Sequence, residues 1–316
     1  MTIKRFVLTH GRQLGTAVGL MLLCLVLTIA SPHFLTVSNL LNVAQQTSIN
    51  AIIAAGMTFV IISAGIDLSV GSILAFTGVV LGSLITGGFP LPVCIVGALA
   101  LGLLCGFLNG ALISFGRLPP FIATLGMMSV ARGAALLYTQ GRPISGFPDS
   151  FRFLATGEVF HIPMPVIIMG GIYAIAHFLL SHTKLGRYTY AIGGNEQAAH
   201  LSGVNVRLYK MLVYGISGLL SAMAAVILSA RLNSAQPIAG IMYELDAIAA
   251  TVIGGTSLMG GEGKILGTLI GALIMGVLRN GLNLLDVSSY VQQTIIGLVI
   301  ITAVFLDMSL KKAKNA

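Results

Sequence analysis

Between Leu91 and Phe115 the chain reads LPVCIVGALALGLLCGFLNGALISF, with no charged side chain anywhere in the stretch. A helix that crosses a bilayer needs about 20 mostly apolar residues, and a soluble core has no use for an uninterrupted run of this length. Similar runs lie on both sides of it, near residues 14–31, 49–64, 69–86, 118–138, 163–181, 208–230, 246–259, 265–283 and 291–307. Hydrophobic residues make up 56% of the 316 and charged residues 8%, and mean hydropathy is +0.97. Lipid must therefore solvate most of the surface. The expected fold is all-α: a polytopic membrane bundle of about 10 transmembrane helices, with eight to eleven compatible with the pattern. No low-complexity linker divides the chain, so 1–316 is expected to be one domain.

Charge sets the expected orientation. With the N-terminus inside, Lys4, Arg5, Arg12, Arg117, Lys184, Arg187, Arg207, Lys210, Lys264, Lys311, Lys312 and Lys314 fall in the cytoplasm. Arg142, Arg152 and Arg231 fall outside, and Arg132 and Arg279 lie within spans. This asymmetry obeys the positive-inside rule with both termini cytoplasmic. The first run, after Lys4, Arg5 and Arg12, reads as a retained signal anchor. Residues Phe34–Val43 read as a short amphipathic helix at the outer interface, with Ser38 as its N-cap. The outer loop from Gly141 to His161 is long enough to carry structure of its own.

Several function classes are excluded by what the residues do not form. The net charge of +8 is scattered between apolar runs, without the basic stripe and interleaved aromatics of a nucleic-acid binder. Cys24, Cys94 and Cys105 sit inside apolar runs without CxxC spacing, and the six histidines show no metal-binding spacing. Gly263-Lys264 has Leu258 and Ile265 where a phosphate-binding loop needs glycine and a hydroxyl. No catalytic, cofactor or metal site is expected, and the chain reads as a pore former rather than an enzyme.

The inner loop 182–210 is the most informative polar piece. Asn195 suits an N-cap, Glu196 the first turn, His200 the last, and Gly203 the C′ stop, giving a helix of about two turns. Such a helix is unstable alone and is expected to sit between the membrane domain and a cytoplasmic partner, with Ala198 and Ala199 leaving room for close docking. Two glycine-rich breaks, Gly65–Gly71 and Gly255–Gly261, share Gly, Leu and Gly at equal spacing and cut apolar runs short. Broken helices of this kind border cavities, and ordinary tight turns explain the pattern equally well.

The segment Glu196-Gln197-Ala198-Ala199-His200-Leu201-Ser202-Gly203 resembles the Glu-Ala-Ala…Gly loop of ABC importer permeases, the helix that seats in a cleft of the ATPase subunit. Gln197 stands where the strict motif has alanine. Together with Gly65–Ser72, Leu118–Gly126, Gly186–Gly203 and Thr251–Gly263, the chain from about residue 20 to 307 resembles the ribose-type monosaccharide permeases. That resemblance implies a homodimer in the bacterial inner membrane, a cytoplasmic ATP-binding subunit that holds ATP and Mg, and an extracytoplasmic sugar-binding protein. It also implies that Asn195, Glu196, Ala198, Ala199 and Gly203 couple the ATPase to transport.

The candidate translocation residues are Asp67, Ser69, Gly71, Ser72, Asn109, Gly260 and Asn280: polar or small groups at breaks and span ends. Asp67 fits helix capping before direct sugar contact, and Arg132 and Arg279 fit pairing with an acid or with carbonyls. Val79 is expected to face lipid. An ion-coupled secondary transporter is the alternative; it would want acids at the midplane, where only Asp67 comes close.

Overall fold

The computed structural model describes the backbone of residues 3–315 and the side chains of residues 15–305. The side chains of Lys4, Arg5, Arg12, Lys311, Lys312 and Lys314, which carry part of the orientation argument, lie outside the described residues. The helices are α1 (Ile3–Ala30), α2 (Val37–Ile62), α3 (Val70–Thr86), α4 (Leu91–Ser114), α5 (Pro120–Thr139), α6 (Asp149–Thr156), α7 (Met164–His182), α8 (Lys184–Gly194), α9 (Glu196–Leu201), α10 (Val206–Leu232), α11 (Tyr243–Ile253), α12 (Ile265–Leu284) and α13 (Ser289–Asn315). Two short antiparallel pairs complete the fold: β1 (Ile144–Ser145) with β4 (Ser234–Ala235), and β2 (Glu158–Val159) with β3 (Ile162–Pro163). Six helices, α2, α4, α5, α7, α10 and α12, are long and apolar enough to cross a membrane, and Gly15–Ala30, Val70–Thr86 and Ser289–Phe305 are shorter apolar helices. The protein is a polytopic, all-α membrane protein.

The centre of the bundle is α2, buried on every side from Ala51 to Ile62. A helix apolar all round belongs inside, not at a lipid-facing edge. α2 begins at Val37, so the separate interfacial helix expected over 34–43 does not exist; those residues are the turn before α2 and its first turns. Thr36, not Ser38, is the N-cap, its Oγ1 accepting from the Asn39 amide at 3.4 Å. Asn39, a polar residue in the first turn of α2, mimics a surface position because a tertiary partner satisfies it. Asn39 and Asn280 of α12 exchange side-chain amide bonds at 2.8 and 3.1 Å.

α4 lies tightly on α10 because Gly102, Gly106 and Gly110 repeat every fourth residue on one face. A Cβ at any of the three would strike α10 around Met211, Tyr214, Gly218 and Ala222. Close backbone approach of this kind is how helices associate where lipid removes the hydrophobic drive. The far sides of α4, α5 and α7 expose Leu104, Leu137 and Ile175 as a lipid-facing surface. Val79, expected to face lipid, is instead fully buried with Ala75 and Ala135, because α3 is enclosed by α4, α5 and α10. The loop after α5 is ordered: Phe147 and Phe151 are buried edge to face at 5.4 Å, and Phe160 is exposed at the β2–β3 turn.

α11 has 11 residues, about 16 Å of helix, half of what a crossing needs. The run expected to cross over 246–259 is therefore a half-helix followed by irregular chain from Gly254 to Lys264. α2 and α3 are likewise separated by non-helical residues 63–69. Both glycine-rich segments are thus non-helical links between helices, as a broken helix and a tight turn between spans would each give. Their glycines are not equivalent, however: Gly71 lies in the first turn of α3, whereas Gly255, Gly260 and Gly261 have φ of +90°, +80° and +73°.

Candidate functional site

The loop 182–210 folds as two helices. α9 is capped as the sequence suggests: Asn195 is extended (φ −159°, ψ 103°) and its Oδ1 accepts from the Ala198 amide at 2.9 Å. Gly203 has φ +83°, and the Val204 amide donates to the Ala199 carbonyl at 3.1 Å. Glu196 accepts from Lys210 Nζ at 2.7 Å, tying the first turn of α9 to α10. Ala199 is buried against Ile192 and Val206, so it supports the helix from beneath. Gln197, Ala198 and His200 are exposed, and Leu201 is 87% exposed. Beside this surface lies an open cleft of about 1030 Å³, lined also by Arg117 to Pro120 and by Arg207, whose guanidinium sits 5.6 Å over the Phe115 ring. Leu201, Arg117 and Arg207 are absent from the sequence-based candidates; an apolar side chain inside a two-turn polar helix was the available signal for the first. α8 went unassigned because Gly186, Gly193 and Gly194 obscure its period.

The path candidates divide into separate places. Asp67, Ser69 and Asn109 form one enclosed network, all three fully buried. Asp67 Oδ1 accepts from the Ser69 amide at 3.0 Å and from its hydroxyl at 2.6 Å, and Asn109 Nδ2 donates to Ser69 Oγ at 2.8 Å. Ser217 of α10, missed in the sequence, donates to Asp67 Oδ2 at 2.7 Å. Asp67 thus organises the turn before α3, as capping predicts, although Ser69 occupies the N-cap position itself. Ser72 is buried nearby in the first turn of α3, Asn280 is spent on Asn39, and Gly260 sits at the other break.

Gly71 meets the segment between α10 and α11. A Cβ there would strike the Gly240 carbonyl and approach Glu244 Oε2 at 2.8 Å. Along α3, Gly82 packs on Ala235, Gly78 on Ser229 and Gly71 on Gly240. The chain from Ala235 to Gly240 therefore runs down α3 by about 16 Å, the rise of that helix between Gly82 and Gly71. Irregular backbone at membrane depth must be satisfied by protein or water. Here Arg132 Nη1 donates to the carbonyls of Pro237 and Ala239, both at 2.7 Å, as an arginine within a span was expected to do. Ile238 and Ile241 point out of the fold, 57% and 58% exposed.

Residues 39–304 match the family described as branched-chain amino acid transport system / permease component. The chain belongs to that permease family. Its relatives match it nearly end to end. It is 51% identical to the ribose import permease of Haemophilus influenzae over 294 residues, covering 92% of this chain and 91% of the relative. It is 50% identical to the ribose import permease of Bacillus subtilis, covering 94% and 92%, and 40% identical to the D-allose transport system permease of Escherichia coli, covering 90% and 88%. No solved structure matches the chain. As a permease it is a transport component of the membrane, and its α9 is exposed and capped beside a charged cleft.

Proposed function

We propose that this permease forms the translocation path of an ATP-driven importer for ribose or a closely similar monosaccharide. The carrying observation is identity of about half over more than nine-tenths of both chains with permeases named for ribose import. The exposed α9 supports the coupling role: Asn195, Glu196 and Gly203 shape it, Ala199 props it, and Ala198 lies on the outer face. In this reading 1–316 is one membrane domain and 182–210 its cytoplasmic coupling loop. With ten membrane segments (α1, α2, α3, α4, α5, α7, α10, the descending chain 235–240 with α11, α12 and α13), both termini lie in the cytoplasm, in a bacterial inner membrane. Two copies of the chain pair, a cytoplasmic subunit binds ATP and Mg, and an extracytoplasmic binding protein delivers the sugar. The passage runs beside the Gly71–Gly240 crossing and the two breaks.

Reconstitution tests it. Proteoliposomes holding this chain, its ATPase partner and its binding protein should take up labelled ribose only with ATP, and a proton ionophore should leave uptake intact. Uptake abolished by the ionophore at constant ATP would establish the ion-coupled alternative instead.

A further inference from the structure

At the α9 end of the bundle, three pieces of backbone meet with no side chain between them. Gly193, near the end of α8, is buried, and a Cβ on it would collide with the Ile62 carbonyl at the end of α2 and lie 2.7 Å from the Gly261 amide. A Cβ on Gly260 would lie 2.7 Å from the Gly193 carbonyl oxygen and 2.7 Å from the Ala64 Cβ. The Gly261 amide donates to the Ile62 carbonyl at 2.9 Å, which joins the second break to the last residue of α2, where the first break begins. Tyr190, one turn before Gly193 on α8, donates its hydroxyl to the Gly263 carbonyl at 2.6 Å. Ala64 holds φ +61°, a conformation that costs an alanine about 1 kcal/mol or more. The surrounding contacts impose that geometry on it.

Gly194 and Asn195 alone separate Gly193 from Glu196, the first residue of α9. A displacement of α9 therefore reaches Gly193 through two residues, and Gly193 bears on both interruptions at once. Packed backbone cannot absorb a shift by rotamer change, so it passes the shift on. We propose that Gly193 and Tyr190 are the positioning residues that transmit movement of α9 to the 63–69 and 254–264 breaks, so that one input moves both interrupted helices together. The proposal rests on the reading of α9 as the ATPase contact. It adds a route inside this chain that the motif at 195–203 does not contain.

The test uses the reconstituted complex with binding protein and ribose, and compares sugar uptake with sugar-stimulated ATP hydrolysis. Gly194 is the internal control: a Cβ there meets nothing within 4 Å. In Gly193→Ala the ratio of uptake to hydrolysis should fall by about tenfold, within the usual range of coupling energies, while ATPase co-purification persists. Gly194→Ala should keep the wild-type ratio. Tyr190→Phe loses only the bond to Gly263 and should lower the ratio in the same direction; it decides the matter if Gly193→Ala fails to assemble. Wild-type ratios in Gly193→Ala, or in Tyr190→Phe where Gly193→Ala does not assemble, overturn the route. A wild-type complex that neither binds the ATPase nor transports with ATP overturns the parent reading instead.

Discussion

Arg279 on α12 donates from one guanidinium nitrogen to both carboxylate oxygens of Asp246 on α11, at 2.9 and 2.7 Å. Asn50 of α2 adds a third contact at 3.3 Å, so one buried carboxylate joins the half-helix to two full-length helices. Asp246 is 3% exposed and Arg279 38%. Removing one partner of a buried pair costs about 3–5 kcal/mol, and the partial exposure of Arg279 makes the loss here smaller. Asp246→Ala and Arg279→Ala should each lower the melting temperature in detergent, and the double variant should lose much less than their sum. Additive losses would show that the pair carries no coupling.

The Glu196–Lys210 contact should matter at the partner surface more than for folding, since Glu196 is half exposed. Glu196→Lys sets a lysine on α9 against Lys210 of α10 and should weaken ATPase co-purification by about tenfold, equivalent to 1.4 kcal/mol, with membrane insertion unchanged. Gly203→Phe should act similarly, because φ +83° is unfavourable for any side chain. Normal assembly and uptake in both variants would remove α9 from coupling.

Ser145 in β1 and Gln197 in α9 are both exposed and belong to opposite ends of the bundle. In a background lacking Cys24, Cys94 and Cys105, single cysteines at these two positions should react with an impermeant reagent from opposite faces of the membrane. Reaction from one face would overturn the ten-segment arrangement.

Gly71→Leu should abolish uptake, because its side chain must enter the Gly240 backbone. The same change at Gly170, exposed with nothing within 4 Å of an added Cβ, should be tolerated. Equal uptake in the two variants would show that the crossing is dispensable. Val79 is unsuitable as the lipid-facing comparator, being fully buried.

Arg132→Gln strips two charge-assisted bonds from the carbonyls of Pro237 and Ala239, each contributing about 1.5–3 kcal/mol. Uptake should fall strongly, and Arg132→Lys should restore part of it by reaching one carbonyl. Full uptake with glutamine at this position would mean that the descending segment needs no such support.

The runs of apolar residues, the capped Asn195–Gly203 helix and the two glycine-rich breaks were legible in the chain alone. Each is written in neighbouring residues: length against bilayer thickness, a side chain three residues from the amide it caps, glycine where the backbone turns. The motifs at 65–72, 118–126, 186–203 and 251–263 likewise pointed to the permease family before any coordinate. Tertiary structure alone decided how these pieces were used. Asn39 looked like surface until Asn280 answered it, Ser217 was anonymous until it reached Asp67, and 235–240 looked like loop until α3 and Arg132 drew it inward. Local pattern records what a residue prefers from its neighbours in sequence. A buried hydrogen bond or a backbone crossing between Gly193 and Ile62, or between Gly71 and Gly240, depends on residues far apart in the chain that meet only once the helices have packed.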